Sequence, residues 1–425
     1  MKHVFFIVLV AAGMVRAGTY YIDYETGADS NAGTTKAAPW KHCPGMAPFT
    51  GSYSHTEGDR FVFKGGVTWP NAALPLLIND GGADGNPDEY GALDTTWYTG
   101  SSWSRAVFDG DSTDFTNWTT GSAGTGTQAQ GNCIWLDGRS AAWNLIESIE
   151  FKDFMWNDNA ARNDNDCWAV TAFGADNVTV RNCYSHDWIV AADSDGKYGG
   201  FSTGNSASGF RVENCIVEGP DTIDAQYVTA ANSKGWLLTS GCGTRGATTI
   251  NCEIRRTTQG IWGGAHVYGN LVEDCCNSFA SDAHENGAWF FSGAVVHDNI
   301  WRRLGEGVTM YLVPAWGGAT GDIWFYNNIV YDIGMSGHIN SINVTNGSAV
   351  LPSQNDYYIF NNLLKAGRGF SLGTGKTGEP MASLFLQNNI VINTSGEIYW
   401  VVDSEADDFP VNTIDHNVHF TLAEA

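Results

Sequence analysis

Down the chain an Asn followed at once by an apolar residue or Cys recurs at Asn182-Cys183, Asn214-Cys215, Asn251-Cys252, Asn270-Leu271, Asn299-Ile300, Asn328-Ile329, Asn362-Leu363, Asn389-Ile390 and Asn417-Val418. The intervals average about 29 residues, a period typical of stacked solenoid repeats. Asp153-Phe154 fits one period earlier. A short β-rich run precedes each Asn, such as NVTV, GFRV, DIWFY, DYYIF or SLFL, and another follows, such as IVYDI or IVINT. Each repeat therefore holds several short strands. A leucine-rich repeat would show a leucine comb, and propeller blades need about 40 residues. What remains is strands wound into parallel coils, with rungs about 4.8 Å apart and like residues stacked over like. That architecture is all-β, a right-handed parallel β-helix.

In such a coil the Asn belongs at a sharp bend, because Asn tolerates left-handed backbone angles and its amide can bond the Asn of the next rung. The residue after each Asn is then expected to point inward, making Cys183, Cys215 and Cys252 an internal stack of small hydrophobes. None of the nine cysteines forms a C-x-x-C pair, so neither a zinc site nor a redox motif is indicated. The apolar residue lies two places before Asn182 but three before Asn328, which predicts an extra residue in some bends.

Residues 1–17 read as a signal peptide. Lys2 and His3 start it, Val4 to Val15 form the apolar core, and Val15-Arg16-Ala17 offers small residues for cleavage. The apolar run is shorter than the roughly 20 residues a bilayer span needs. The mature chain then begins near Gly18 and is secreted, to the periplasm or beyond, as a monomer without a membrane anchor. Residues 18–131 are expected to form an N-terminal cap and the first coils, with GDRFVFKGG and SRAVFDG as early strands. Residues 132–425 form the β-helix proper. With 22 basic and 46 acidic residues the net charge is −24, which disfavours nucleic acid, since gripping phosphates requires clustered Lys and Arg.

The repeat pattern resembles the pectin-lyase-like superfamily of right-handed parallel β-helix proteins, which contains polysaccharide lyases and glycoside hydrolases. The segment TYYIDYETGADSNAGTTKAAPWKHCPG is similar to the opening of many secreted bacterial members. The resemblance implies a substrate cleft along one longitudinal face. The chain does not carry the set of Asn-Thr-Asp, Asp-Asp, Gly-His-Gly and Arg-Ile-Lys signatures of the polygalacturonase-like hydrolases.

A second column carries the candidate chemistry. One polar residue precedes a Gly and an apolar residue in Lys234-Gly235-Trp236, Gln259-Gly260-Ile261, Asn286-Gly287-Ala288, Glu306-Gly307-Val308 and Arg368-Gly369-Phe370, with His338 in a related place. Gly would permit the turn into the strand, and the residue before it would project at the cleft. The densest stretch is Asp282-Ala283-His284-Glu285-Asn286-Gly287, followed one coil later by Glu306 and Tyr311. On adjacent rungs Glu285 and Glu306 would fall within the ~5 to 9 Å used by paired-carboxylate glycosidases. One acid would protonate the departing oxygen while the other activates water or attacks the sugar. His284 would orient a carboxylate or act as base. Lys234, Gln259, Asn286, Tyr311, His338 and Arg368 would bind substrate, and Trp262, Trp289, Trp301 and Trp316 could stack on sugar rings. The same polar residues could equally be solvated turn formers.

A second constellation, Asp193, Asp195 and Asp224 with Lys234, suits elimination: Ca2+ held by the carboxylates would neutralise a uronate while an amine removes the adjacent proton. Hydrolysis of a polysaccharide is the favoured reading. A Ca2+-dependent lyase and a non-catalytic carbohydrate-binding solenoid are the alternatives.

Overall fold

The computed structural model describes residues 17–111, 133–156, 166–190, 197–204, 207–219, 241–257, 259–275, 287–291, 293–304, 310–312, 321–332, 342–345, 356–365, 370–373, 383–393, 399–401 and 411–421. Among them three long sheets run the length of the molecule, with 13, 12 and 11 strands, here called sheets one, two and three. Every strand pairing within them is parallel and joins one coil to the next. The chain is a right-handed parallel β-helix. Strands of residues 18–111 belong to the same sheets: Thr19–Ile22 opens sheet one, Thr68–Pro70 sheet two and Leu76–Ile78 sheet three.

One coil shows why the sequence winds this way. In Ile323–Tyr326, a strand of sheet one, Ile323 and Phe325 point inward and are fully buried, while Trp324 and Tyr326 face out, the period-two alternation of a strand with one face on a core. Asn327 then takes a left-handed φ of 55°, which turns the chain in one residue. Asn328 drops into the interior, and Ile329–Tyr331 runs on as a strand of sheet two. A second left-handed residue, Asp332, ends that strand, and Ile342–Thr345 returns on sheet three. Stacking the coils places the inward apolar residues in columns, and burying each side chain contributes about 1.5–3 kcal/mol.

The corner between sheets one and two corrects the single Asn column expected from the sequence. The left-handed position is filled by Asn182, Asn214, Asn251, Gly269, Asp298, Asn327, Asn361, Asn388 and His416. The next position, which faces the interior, is filled by Cys183, Cys215, Cys252, Asn270, Asn299, Asn328, Asn362, Asn389 and Asn417. The repeating Asn is thus the turning residue in the first three coils and the inward residue in the last six. That one-residue change of frame removes the need for an extra residue: Val180 and Phe325 each lie two places before their turning residue.

Thiols and amides therefore form one internal column. The Cys183 N–H donates to Cys215 Sγ at 3.4 Å, and the Cys252 N–H to Asn270 Oδ1 at 2.8 Å. Beyond that each Asn gives both its backbone N–H and its Nδ2 to the next Oδ1, as Asn270 does to Asn299 at 3.0 and 2.9 Å. Cys183, Cys215 and Cys252 are buried and unpaired by disulfides, as the sequence predicted. The residue after the later Asn points outward instead of inward: Ile300, Ile329, Ile390 and Val418 are 39–46% exposed. Once the Asn itself takes the inward place, strand alternation sends its successor to solvent.

Candidate active-site face

The stretches between sheet two and sheet three differ in length from coil to coil, and loops of that kind are where sites are commonly built. In register along sheet three lie Trp135, Thr171, Ser202, Arg245, Trp262 and Trp289, and the backbone ladder continues through Tyr311, Asn343, Ser371 and Trp400. Their inward-facing strand neighbours include Val170, Phe201, Ile261 and Phe290, all buried in the core. Between Thr171 and Trp289 the column passes from small hydroxyls through a guanidinium to indoles, and Trp135, Thr171, Ser202 and Trp289 are buried. Trp262 and Trp289 stack with ring centroids 5.1 Å apart at an interplanar angle of 10°, and Phe291 packs edge-on to Trp262 at 6.3 Å.

The strand register shows which of the expected residues share a level. Gln259 opens the strand Gln259–Trp262, and Tyr311 is the central residue of Met310–Leu312, level with Trp289. Ile261 pairs with Ala288, and Phe370 lies level with both through Met310 and Ile342. Ile261, Ala288 and Phe370, which end three of the triplets, therefore share one register. In the Glu306-Gly307-Val308 coil the residue that pairs with Ala288 is Met310, two places further along the sequence than Val308. Asp193, Asp195, Asp224, Lys234, Asp282, His284, Glu285, Asn286, Glu306, His338, Arg368 and Trp316 lie outside the described residues.

Two expectations are corrected. Gly260 and Gly287 are not turn glycines, since neither has a left-handed φ. They are present because a Cβ would collide with packed neighbours: at Gly260 with the Gly287 carbonyl and, at 2.6 Å, with Val272 Cγ1; at Gly287 with the Leu304 side chain. Trp301 is no sugar platform, because it is fully buried in the core with its indole packed on Phe290 at 5.9 Å.

The structure also displays aromatic and titratable groups that the sequence reading missed. On the outside of sheet one, Tyr268, His297, Tyr326 and Phe360 stack at 4.8–4.9 Å and within 7° of parallel, and Trp324, Tyr358 and Phe385 form a second ladder beside them. These rings cover one another's faces, as Trp262 and Trp289 do on sheet three, so each ladder has open faces only at its ends.

On sheet two, His186 Nδ1 lies 2.7 Å from Asp187 and Nε2 3.2 Å from Glu150, while Glu218 meets Tyr184, Arg255 and Arg256. Burial pulls the His186 pKa down, but the two carboxylates outweigh it and the value is raised. Burial raises Glu218, yet Tyr184 and Arg255 reverse this and hold it below the usual range. Charges so fully paired staple neighbouring coils and leave no acid or base poised for transfer. The signal was in the sequence: Glu218, Arg255, Glu273 and Arg302 sit three residues after the inward corner residue in successive coils, alternating in sign.

No family model matches this chain, and no curated protein does. Solved structures match over nearly its whole length. The GH136 lacto-N-biosidase from Eubacterium ramulus superposes with a TM-score of 0.56 at 14% identity, covering 95% of this chain and 68% of that one. The shared fold is the parallel β-helix. The selenomethionine form of the same enzyme gives 0.54 at 13% identity, again over 95% of this chain and 68% of that one. The complex of XylC with xylose matches at a TM-score of 0.48 and 10% identity, over 90% of this chain and 69% of that one. At such identities the likeness is one of fold.

Proposed function

We propose that this chain is an exported enzyme that binds a polysaccharide lengthwise on the outer face of sheet three and cleaves its glycosidic bonds by hydrolysis. One observation carries the reading: segment 276–286, with Asp282, His284, Glu285 and Asn286, leads directly into the rung where Trp289 stacks on Trp262. In sequence the acids immediately precede the strand Ala288–Phe290 of that rung. Glu285 is three residues before Ala288, and Glu306 is four before Met310, the residue with which Ala288 pairs. Strands one rung apart are separated by about 4.8 Å, compatible with the ~5 to 9 Å between acid and base or nucleophile in glycosidases.

In this scheme one glutamic acid protonates the glycosidic oxygen, and the other carboxylate activates water or attacks the anomeric carbon. His284 and Asp282 orient the pair, while Gln259, Asn286, Tyr311 and Arg368 line the path of the sugar chain, flanked by Lys234 and His338. The occurrence of this fold in a GH136 lacto-N-biosidase supports carbohydrate cleavage as the reaction class.

The test is to incubate the secreted protein with neutral and uronate-containing glycans, with and without Ca2+, following reducing ends and ultraviolet absorbance together. New reducing ends without absorbance support the proposal. Both signals together mean elimination, and binding with neither means a carbohydrate-binding role; each of these overturns it.

A further inference from the structure

Five carboxylates are buried among the described residues: Asp23, Asp59, Asp88, Glu218 and Glu273. Four have a basic partner: Asp23 has Lys64 at 2.8 Å, Asp88 has His55 at 2.8 Å, Glu218 has Arg255 at 2.7 Å and Glu273 has Arg303 at 2.7 Å. Asp59 is fully buried and has no basic side chain against it among the described residues. Burying a carboxylate without a countercharge is costly even when hydrogen bonds satisfy it. Its oxygens take the Tyr53 hydroxyl at 2.9 Å, the Thr56 N–H at 3.0 Å and, at 2.6 Å on Oδ1, the N–H of Gly18.

Gly18 is the first residue after Val15-Arg16-Ala17, whose small residues at the first and third places before the bond suit leader-peptide cleavage. Its position is fixed independently of any cleavage. The Gly18 carbonyl accepts the Arg60 N–H at 2.9 Å, and a Cβ on Gly18 would meet the Tyr20 ring at 2.8 Å. The nitrogen at this point is therefore held against Asp59 by the first strand pairing of sheet one, Thr19–Ile22 with Arg60–Phe63.

We propose that Asp59 is a receptor for the α-ammonium of Gly18, created when the leader is removed, so that processing supplies the countercharge this carboxylate lacks. Cleavage is a hydrolysis by a leader peptidase. Water adds across the Ala17–Gly18 amide, Ala17 keeps the carboxylate, and Gly18 keeps the nitrogen, which is protonated at neutral pH. A single neutral N–H donor becomes a cation with three donors at a place already within hydrogen-bond distance. The charged and titratable groups around the pair are Tyr20, Tyr53 and Asp88, with His55 engaged by Asp88 and Arg60 by Glu89. Burial and the Asp59 charge push both phenols up, so they remain neutral while the amine titrates.

The experiment begins with the intact mass of the secreted protein, which should place the N-terminus at Gly18. Thermal midpoints are then compared for this form and for the same chain acetylated on Gly18, which keeps an N–H donor and leaves Asp59 untouched. The free-amine form should melt higher by about 2 °C or more at pH 6. An α-amine titrates near pH 7.7–8.0 when unpaired, and pairing raises that value. The advantage is thus complete below about pH 7.7 and lost as the pH rises through the raised value. Asp59→Asn should abolish the difference between the two forms, and the acetylated comparison stands if that variant does not fold. A different N-terminus, equal midpoints, or a gap that persists in Asp59→Asn would overturn the proposal.

Discussion

Removing one amide from the internal column gives the sharpest test of how this solenoid is held. Asn328 is fully buried. Its Oδ1 accepts the Asn299 backbone N–H at 3.2 Å and Asn299 Nδ2 at 3.0 Å, and its Nδ2 lies 3.1 Å from the Val296 carbonyl. In Asn328→Ala the Asn299 N–H and one Nδ2 hydrogen lose their acceptor in a place water does not reach. Each orphaned buried donor costs about 1–3 kcal/mol, so the pair costs about 2–6 kcal/mol before any cavity is counted. Asn362 Oδ1 keeps the Asn328 backbone N–H at 2.9 Å, so the damage is directed toward the preceding coil. Asn327→Ala is the control: it loses an exposed side chain and places Ala at a left-handed φ of 55°, for about 1–2 kcal/mol. Solenoid stability is read coil by coil, so the assay is hydrogen exchange on peptides covering 295–302 and 323–331, supported by urea unfolding. If Asn327→Ala costs as much as Asn328→Ala, or the Asn299 amide keeps its protection, the column is not what joins these coils.

Four further outcomes follow from the same geometry. Glu285→Gln and Glu306→Gln should each lower turnover by about 10²–10⁴-fold without altering the fold, measured as reducing ends released. Trp262→Ala, at the more exposed of the two stacked indoles of sheet three, should raise KM for an oligosaccharide, whereas Trp324→Ala, on sheet one and away from the proposed sugar path, should leave KM unchanged. Gly260→Ala should destabilise more than Gly287→Ala in thermal melts, because the first meets a backbone carbonyl and the second only the end of the Leu304 side chain. The raised pKa of His186 makes its contribution complete below pH ~6.5 and lost as pH rises through the higher folded value; the stability gap to His186→Gln should narrow between about pH 6 and 8.

The fold was legible because a β-helix writes its coils as a period: each corner demands a residue that tolerates a left-handed backbone, and Asn meets that demand at 182, 214, 251, 327, 361 and 388. The frame was harder to read, since Asn also suits the neighbouring inward place, where its amide satisfies two coils at once. Sequence identity alone does not separate the two uses in Asn327-Asn328 or Asn361-Asn362. Strand alternation does, and the outward Ile300 and Ile329 were the clue. The polar column was partly legible: the triplets' last residues Ile261, Ala288 and Phe370 share a register, but in the Glu306-Gly307-Val308 coil that level is taken by Met310. Gly260 was misread because a glycine required by close packing looks, in a sequence, like one required by a turn. Trp301 was misread because size says nothing of side.

The row of side-chain amides has a direction. From Asn270 to Asn417 every carboxamide oxygen faces the coil before it, since it accepts from Cys252, Asn270, Asn299, Asn328, Asn362 and Asn389 in turn. Six amide dipoles of about 3.5 D each, taken as equal to a peptide unit, add to roughly 20 D if fully aligned. The cysteine rungs supply no such alignment. The later half of the molecule thus carries an electrically oriented thread, negative toward the thiols, in which each dipole polarises the next. Substituting Asn417 should therefore weaken bonds several rungs away, and a carbonyl-stretch shift at isotope-labelled Asn299 would report it.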